Sequence, residues 1–179
     1  MTLEPMIRCY ITDRRLKGLP NTLPTDWIQI RDKQLQARDL LVLTRRAIAT
    51  TRKVIVNTRM DIALAAGAAG LHLPADSPPA SKFRVIASPA FLIGKSCHTL
   101  DEVRAAEQEG ADYVFFGPIF APLSKTSPLP PLGLNALAQA TRAVKISVIA
   151  LGGITNENAE DCIRAGAAGI AAISLFEQI

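Results

Sequence analysis

Short apolar and β-branched runs recur along the 179-residue chain, at 7–11, 27–31, 53–57, 70–73, 92–96, 113–117, 147–151 and 169–173. Their length predicts eight strands. Between most of them lie stretches with helical spacing, at 34–50, 99–109, 134–144 and 156–165. Strand–helix alternation implies parallel strands joined by right-handed crossovers. Eight such units predict one α/β domain over 1–179, a single (β/α)8 TIM barrel. A weak repeat supports one architecture used throughout. Gly67-Ala68-Ala69-Gly70-Leu71, Gly110-Ala111-Asp112-Tyr113-Val114 and Gly166-Ala167-Ala168-Gly169-Ile170 each stand between a helix and a strand. The first glycine of each suits a left-handed position just past a helix end. One unit breaks the rhythm: residues 13–26 contain Gly18, Pro20 and Pro24, too short and too interrupted for a covering helix. Little chain follows the eighth run, so the barrel is expected to be trimmed at its first and last helices. An apolar flank at that seam would suit a homodimer.

Composition narrows the classes. Hydrophobic residues make up 49% of the chain and aromatic residues 5%, so the core must be largely aliphatic. The net charge of +4 raises the question of nucleic acid, but the basic residues are scattered in pairs without interleaved aromatics, and no nucleic-acid partner is expected. No uninterrupted apolar stretch of about 18 residues is present for a membrane span, and no secretory leader is visible at the start. Cys9, Cys97 and Cys162 are far apart and odd in number, which predicts reduced thiols and a cytoplasmic protein.

In barrels of this kind, chemistry sits at the carboxyl ends of the strands. Period-two alternation in 27–31 places Ile28 and Ile30 toward the helices and turns Gln29 and Arg31 into the barrel. A charge there needs a partner, either a carboxylate such as Asp32 or Asp61 or a ligand anion. Lys33, Asn57 and Arg59 add polar groups at the same rim, which favours the anion. Thr99 and Glu102 have the spacing of a helix capping box. His72 and His98 are expected to be structural, and Cys97 lacks a convincing thiolate partner. The loop Pro122-Leu123-Ser124-Lys125-Thr126-Ser127 offers hydroxyls and an ammonium to an anion, or is an ordinary loop. Gly152-Gly153 and Ile173-Ser174 expose backbone N–H groups where barrels often bind phosphate.

Gln29-x-Arg31-Asp32-Lys33, Asn57-x-Arg59, Gly70-Leu71-His72-Leu73, Ser96-x-His98-Thr99, Gly110-Ala111-Asp112-Tyr113-Val114-x-Phe116-Gly117-Pro118-Ile119-Phe120, Gly152-Gly153-Ile154 and Ile173-Ser174 occur in this order. The ordered set resembles the thiamine phosphate synthase/TenI family. The resemblance implies a transferase that joins an aminopyrimidine diphosphate to a thiazole phosphate and releases diphosphate with Mg2+. It also implies Arg31, Lys33, Arg59 and Lys125 as catalytic residues. Gln29, Asn57, Ser96, Ser124, Gly152, Gly153, Ile173 and Ser174 would bind substrate, and the partners would be small phosphorylated thiamine precursors. The chain departs from the family pattern at the metal. Thr58 stands where synthases carry Asp, and Asp76 lies one residue before the usual acidic position, which Ser77 occupies; Asp76 is the remaining candidate ligand. Ser77 before Pro78 also reads as a helix N-cap. Two alternatives stay open: a TenI-like thiazole tautomerase, whose usual histidine position is Pro118 here, and a non-catalytic binding or regulatory protein.

Overall fold

The structure, a computed structural model, describes residues 6–12, 25–50, 53–121 and 129–176. Among these, eight strands form: β1 Ile7–Ile11, β2 Trp27–Ile30, β3 Lys53–Asn57, β4 Gly70–Leu73, β5 Leu92–Cys97, β6 Tyr113–Phe116, β7 Ser147–Leu151 and β8 Gly169–Ala172. Each lies where the apolar pattern predicts it, with some carboxyl ends shifted by one residue. At β2 the shift has a visible cause, because the Arg31 N–H leaves the ladder and donates to Thr12 Oγ1 at 2.8 Å.

The helices are α1 Ala37–Ile48, α2 Met60–Ala66, α3 Ala80–Arg84, α4 Leu100–Gln108, α5 Gly133–Ala143 and α6 Ala159–Arg164. The longer three match the periodic stretches, whereas α2 and α3 span two turns or less and leave almost no periodicity to read. The Thr99–Glu102 capping box is formed at the start of α4, with both reciprocal hydrogen bonds present. Ser77 is not an N-cap. Its hydroxyl donates to the Pro78 carbonyl, and α3 starts only after Pro79. The second proline is the reason, since it holds Pro78 extended and pushes the helix start onward. The 156–165 stretch shortens in the same way, because the Asn158 side chain folds back over the preceding loop before α6 begins.

All neighbouring strands are parallel, and β1 pairs with β8 from Ile7↔Gly169 to Tyr10↔Ala172, which closes the barrel. The core therefore has two layers. Ile28, Ile30, Val54, Val56, Leu71, Leu73, Ile93 and Val114 face outward and pack under the helices. Cys9, Ile11, Trp27, Ile55, Tyr113, Phe115, Ile149 and Ala171 fill the interior. The broken unit expected at 13–26 falls largely on residues outside those described, as does the end of the chain. What the structure does show of the seam is a 3₁₀ turn at Ser174–Phe176. Its Phe176 lies edge-on against the buried Tyr10, ring centroids 6.1 Å apart, and covers this part of the β1–β8 flank.

The three repeated segments share one geometry. Gly67, Gly110 and Gly166 have φ of +73°, +85° and +98°. The next N–H, from Ala68, Ala111 or Ala167, reaches back to the carbonyl of Ala63, Ala106 or Cys162. These are Schellman closures that satisfy the orphan carbonyls of each helix. The residue after that, Ala69, Asp112 or Ala168, donates to Val54, Ile93 or Val148 and so enters the ladder against the preceding strand.

Two glycines with different duties predict different losses. A Cβ on Gly110 meets nothing within 4 Å and suffers only its left-handed backbone, whereas a Cβ on Gly94 lies 2.0 Å from the Tyr113 ring. Gly110→Ala is expected to cost about 1 kcal/mol, and Gly94→Ala about 3 kcal/mol. Urea unfolding of both variants checks the ordering; equal losses would refute this account of the interior.

Candidate functional site

The polar residues at the carboxyl ends of β2–β5 converge through hydrogen bonds. Gln29, 2% exposed, points into the barrel and donates from Nε2 to Asn57 Oδ1 at 3.0 Å. Asn57 in turn donates from Nδ2 to Thr58 Oγ1 at 2.6 Å. The Gln29 Oε1 atom is buried and has no hydrogen-bond partner among the described residues. A buried acceptor left bare costs on the order of 1–3 kcal/mol unless something donates to it. Thr58 sits at φ +66°, and the Arg59 N–H closes onto the Asn57 carbonyl at 2.8 Å, making a three-residue turn. A β-branched residue in that conformation is strained, and such strain gathers at functional loops.

The next two strands carry a second polar row. His72, also 2% exposed, lies opposite Asn57 in the β3–β4 register. Its Nδ1 meets Tyr113 Oη at 3.1 Å and its Nε2 meets Ser96 Oγ at 2.9 Å. Burial, helped by the charge of Arg31, depresses its pKa from the ordinary 6.5 to about 3. His72 is thus neutral and hydrogen-bonded on both sides, as the structural reading expects. Tyr113 escapes a sequence reading, because nothing in its strand says that its hydroxyl meets a histidine from β4. His98 donates its Nδ1–H to the Gly117 carbonyl. Burial pushes the Cys97 thiol up to about 12, so it is no nucleophile.

The cations differ in availability. Arg31 is half-buried and has no carboxylate partner among the described residues, while Lys33 is exposed. Asp32 instead accepts the N–H groups of Gln34 and Leu35. Arg59 is held by Asp61 in a two-pronged ion pair at 2.8 and 2.6 Å. Of the two carboxylates considered as alternative partners for Arg31, Asp61 is thus engaged by Arg59 and Asp32 by backbone N–H groups. Asp76 stands exposed in a turn, and no group of three His, Cys, Asp or Glu side chains converges among the described residues. Magnesium wants carboxylates and phosphate oxygens in near-octahedral order; with Thr58 lacking a carboxylate and Asp61 engaged, these residues do not fit it.

The opposite rim is built from backbone. β7 and β8 pair through Leu151↔Ala171, which brings Gly152 and Gly153 beside Ile173 and Ser174. Both glycines have positive φ, and a Cβ on Gly153 would sit 2.4 Å from the Ala121 carbonyl. Asn158 staples this loop, accepting from Thr155 N–H at 2.8 Å and donating to the Gly153 carbonyl at 2.9 Å. The N–H groups of Gly152 and Gly153 find no acceptor among the described residues. Ser124 and Lys125 lie outside the described residues.

Comparison with known proteins places this geometry in context. The profile of the family described as thiamine monophosphate synthase matches residues 12–176. A thiamine-phosphate synthase of Anaeromyxobacter dehalogenans is 49% identical over 113 residues, 63% of this chain and 51% of that protein. One from Chlorobium phaeovibrioides is 50% identical over 115 residues, 64% of this chain and 55% of that protein. The chain thus spans about half the length of the curated relatives it matches. A solved thiamine phosphate pyrophosphorylase from Pyrococcus furiosus superposes with a TM-score of 0.78 at 34% identity, covering 94% of this chain and 86% of that one. No helix among the described residues is long and apolar enough to cross a membrane.

The depressed His72 pKa has a thermodynamic consequence. Between about pH 6.5 and 3 the unfolded chain binds a proton at this residue that the folded chain refuses. His72 therefore lowers stability as the pH falls through that window, by up to about 1.4 kcal/mol per pH unit. Urea unfolding at pH 7, 6 and 5 is expected to show a steeper decline for the wild type than for His72→Gln. Parallel curves would refute the assignment.

Proposed function

The chain belongs to the thiamine monophosphate synthase family, and from that premise we propose that it joins an aminopyrimidine diphosphate to a thiazole phosphate to give thiamine phosphate. The observation that carries this reading is the unspent polar capacity at the mouth. Gln29 Oε1 is a buried acceptor awaiting a donor, and an amino group on a pyrimidine ring supplies one. Beside it Arg31 has no carboxylate partner among the described residues, and a diphosphate supplies the missing charge. The backbone rim of Gly152, Gly153, Ile173 and Ser174 suits the phosphate of the second substrate.

In this reaction the bond from the pyrimidine methylene to diphosphate oxygen breaks, and diphosphate leaves with the electron pair. The thiazole nitrogen then forms the new carbon–nitrogen bond. No side-chain nucleophile is needed, in keeping with the buried thiols. The work of the protein is to position two substrates and to stabilise separating charge. Gln29 and Asn57 hold the ring; Arg31 and Lys33, with Lys125, take the charge of the departing diphosphate, and Ser96 and Ser124 bind its oxygens. Arg59, already paired with Asp61, contributes less than its position suggests. The metal expected for the family is not provided for by Thr58 and Asp76, so no step is assigned to it. The tautomerase alternative asks for an acid–base imidazole. His72 has both nitrogens engaged and is neutral down to about pH 3, and His98 is tied to a carbonyl.

Incubating the two substrates with the protein and separating the products is expected to show thiamine phosphate. Arg31→Met should lower kcat/KM about 100-fold, as loss of a partner to developing charge does elsewhere. Thr58→Asp restores a carboxylate and suits the left-handed backbone better than threonine; it should raise turnover in magnesium and not in a chelator. Product no higher than the uncatalysed background at high protein concentration would overturn the transferase reading.

A further inference from the structure

Below the mouth, Tyr113, His72 and Ser96 form a row whose hydrogen-bond direction is set by burial. Tyr113 Oη has one partner among the described residues, His72 Nδ1 at 3.1 Å. If Nδ1 carried the imidazole proton, it would donate to Oη and leave the phenolic proton without an acceptor. Stranding a buried donor costs on the order of 1–3 kcal/mol, so the phenol donates and Nδ1 accepts. Burial holds the phenol well above its ordinary pKa and the imidazole well below its own, so both groups are neutral. The remaining imidazole proton then resides on Nε2, which donates to Ser96 Oγ at 2.9 Å. With its oxygen so engaged, Ser96 must send its own proton elsewhere, and no acceptor for it exists among the described residues.

We propose that Tyr113 and His72 are positioning residues that hold the Ser96 hydroxyl as an obligate hydrogen-bond donor to an anionic phosphate-type oxygen at the barrel mouth. The proposal rests on the reading of Ser96 as a ligand contact and adds what gives that contact its sign. The opposite imidazole tautomer would make Ser96 donate into the protein and turn lone pairs toward the ligand, which repels an anion. Packing keeps the row from rotating: the His72 ring lies 4.3 Å from the Phe115 ring, and the Trp27 ring meets the Tyr113 ring edge-on at 5.0 Å. Gly94 leaves the space that the Tyr113 ring occupies. Arg31 places a positive charge near enough to act on His72, so the local field favours an anion over a cation.

Two measurements on the full chain test this. Nitrogen-15 NMR of the wild type at neutral pH is expected to show His72 with a bare Nδ1 and a protonated Nε2; the reverse tautomer overturns the relay without touching the proposed reaction. Calorimetry with inorganic pyrophosphate is expected to show about tenfold weaker binding for both Tyr113→Phe and Ser96→Ala. The double variant should be no weaker than Ser96→Ala alone, because the phenol acts only through the serine. Additive losses, or a Tyr113→Phe that binds as the wild type while Ser96→Ala is impaired, overturn the relay alone. Full-strength binding by Ser96→Ala instead removes Ser96 from the ligand site and overturns the relay, while the transferase reading, carried by Gln29 and Arg31, still stands or falls on the product assay.

Discussion

Parallel pairing of Ile7 through Tyr10 with Gly169 through Ala172 joins the last strand to the first, and every other feature of the mouth follows from that closure. A closed parallel sheet has no edge and only one open end that carries loops after strands. It forces residues distant in sequence, such as Gln29, His72, Ser96 and Ser174, onto one rim. It also forces the interior to be filled, here by two kinds of side chain. Cys9, Trp27, Ile55, Phe115 and Ile149 make an apolar cluster, and Gln29, Asn57, His72 and Ser96 add a polar layer packed against it.

That polar layer is expensive, and the structure offsets most of the expense internally. His72 is satisfied by Tyr113 and Ser96, and Asn57 by Gln29 and Thr58. What stays unsatisfied among the described residues is small and local: Gln29 Oε1, the Ser96 proton, and the charge of Arg31. These residual demands have a consistent chemistry. One wants a donor and two want an anion, which is in keeping with the substrates proposed above. The strained turn at Thr58 belongs to the same patch, and its hydroxyl terminates the amide row.

The two halves of the mouth are built by different means. The β2–β5 half uses long side chains locked by hydrogen bonds across strands. The β7–β8 half uses bare backbone, shaped by Gly152 and Gly153 and stapled by Asn158. A backbone cradle tolerates side-chain change, whereas a side-chain half is altered by single replacements. Thr58, where the family resemblance implies a carboxylate, is such a replacement, and no group of metal-ligating side chains converges among the described residues.

The strand count, the parallel order and the three helix-to-strand returns were legible in the sequence, because each depends on local chemistry: apolar runs of strand length, helical spacing, and a glycine free to adopt positive φ. The inward direction of Gln29 was legible too, since alternation along one strand requires no knowledge of its neighbours. The starts of α3 and α6 were not, because Pro79 and the Asn158 side chain override the pattern that precedes them. Least legible was the partnering of the charged and polar groups. Residue order does not say that Asp61 pairs with Arg59 and not with Arg31, or that a tyrosine from β6 reaches a histidine from β4. The first is a local choice of side-chain conformation between residues two apart; the second is set by barrel closure and strand register, which juxtapose side chains about 40 residues apart, and only the tertiary structure could decide it.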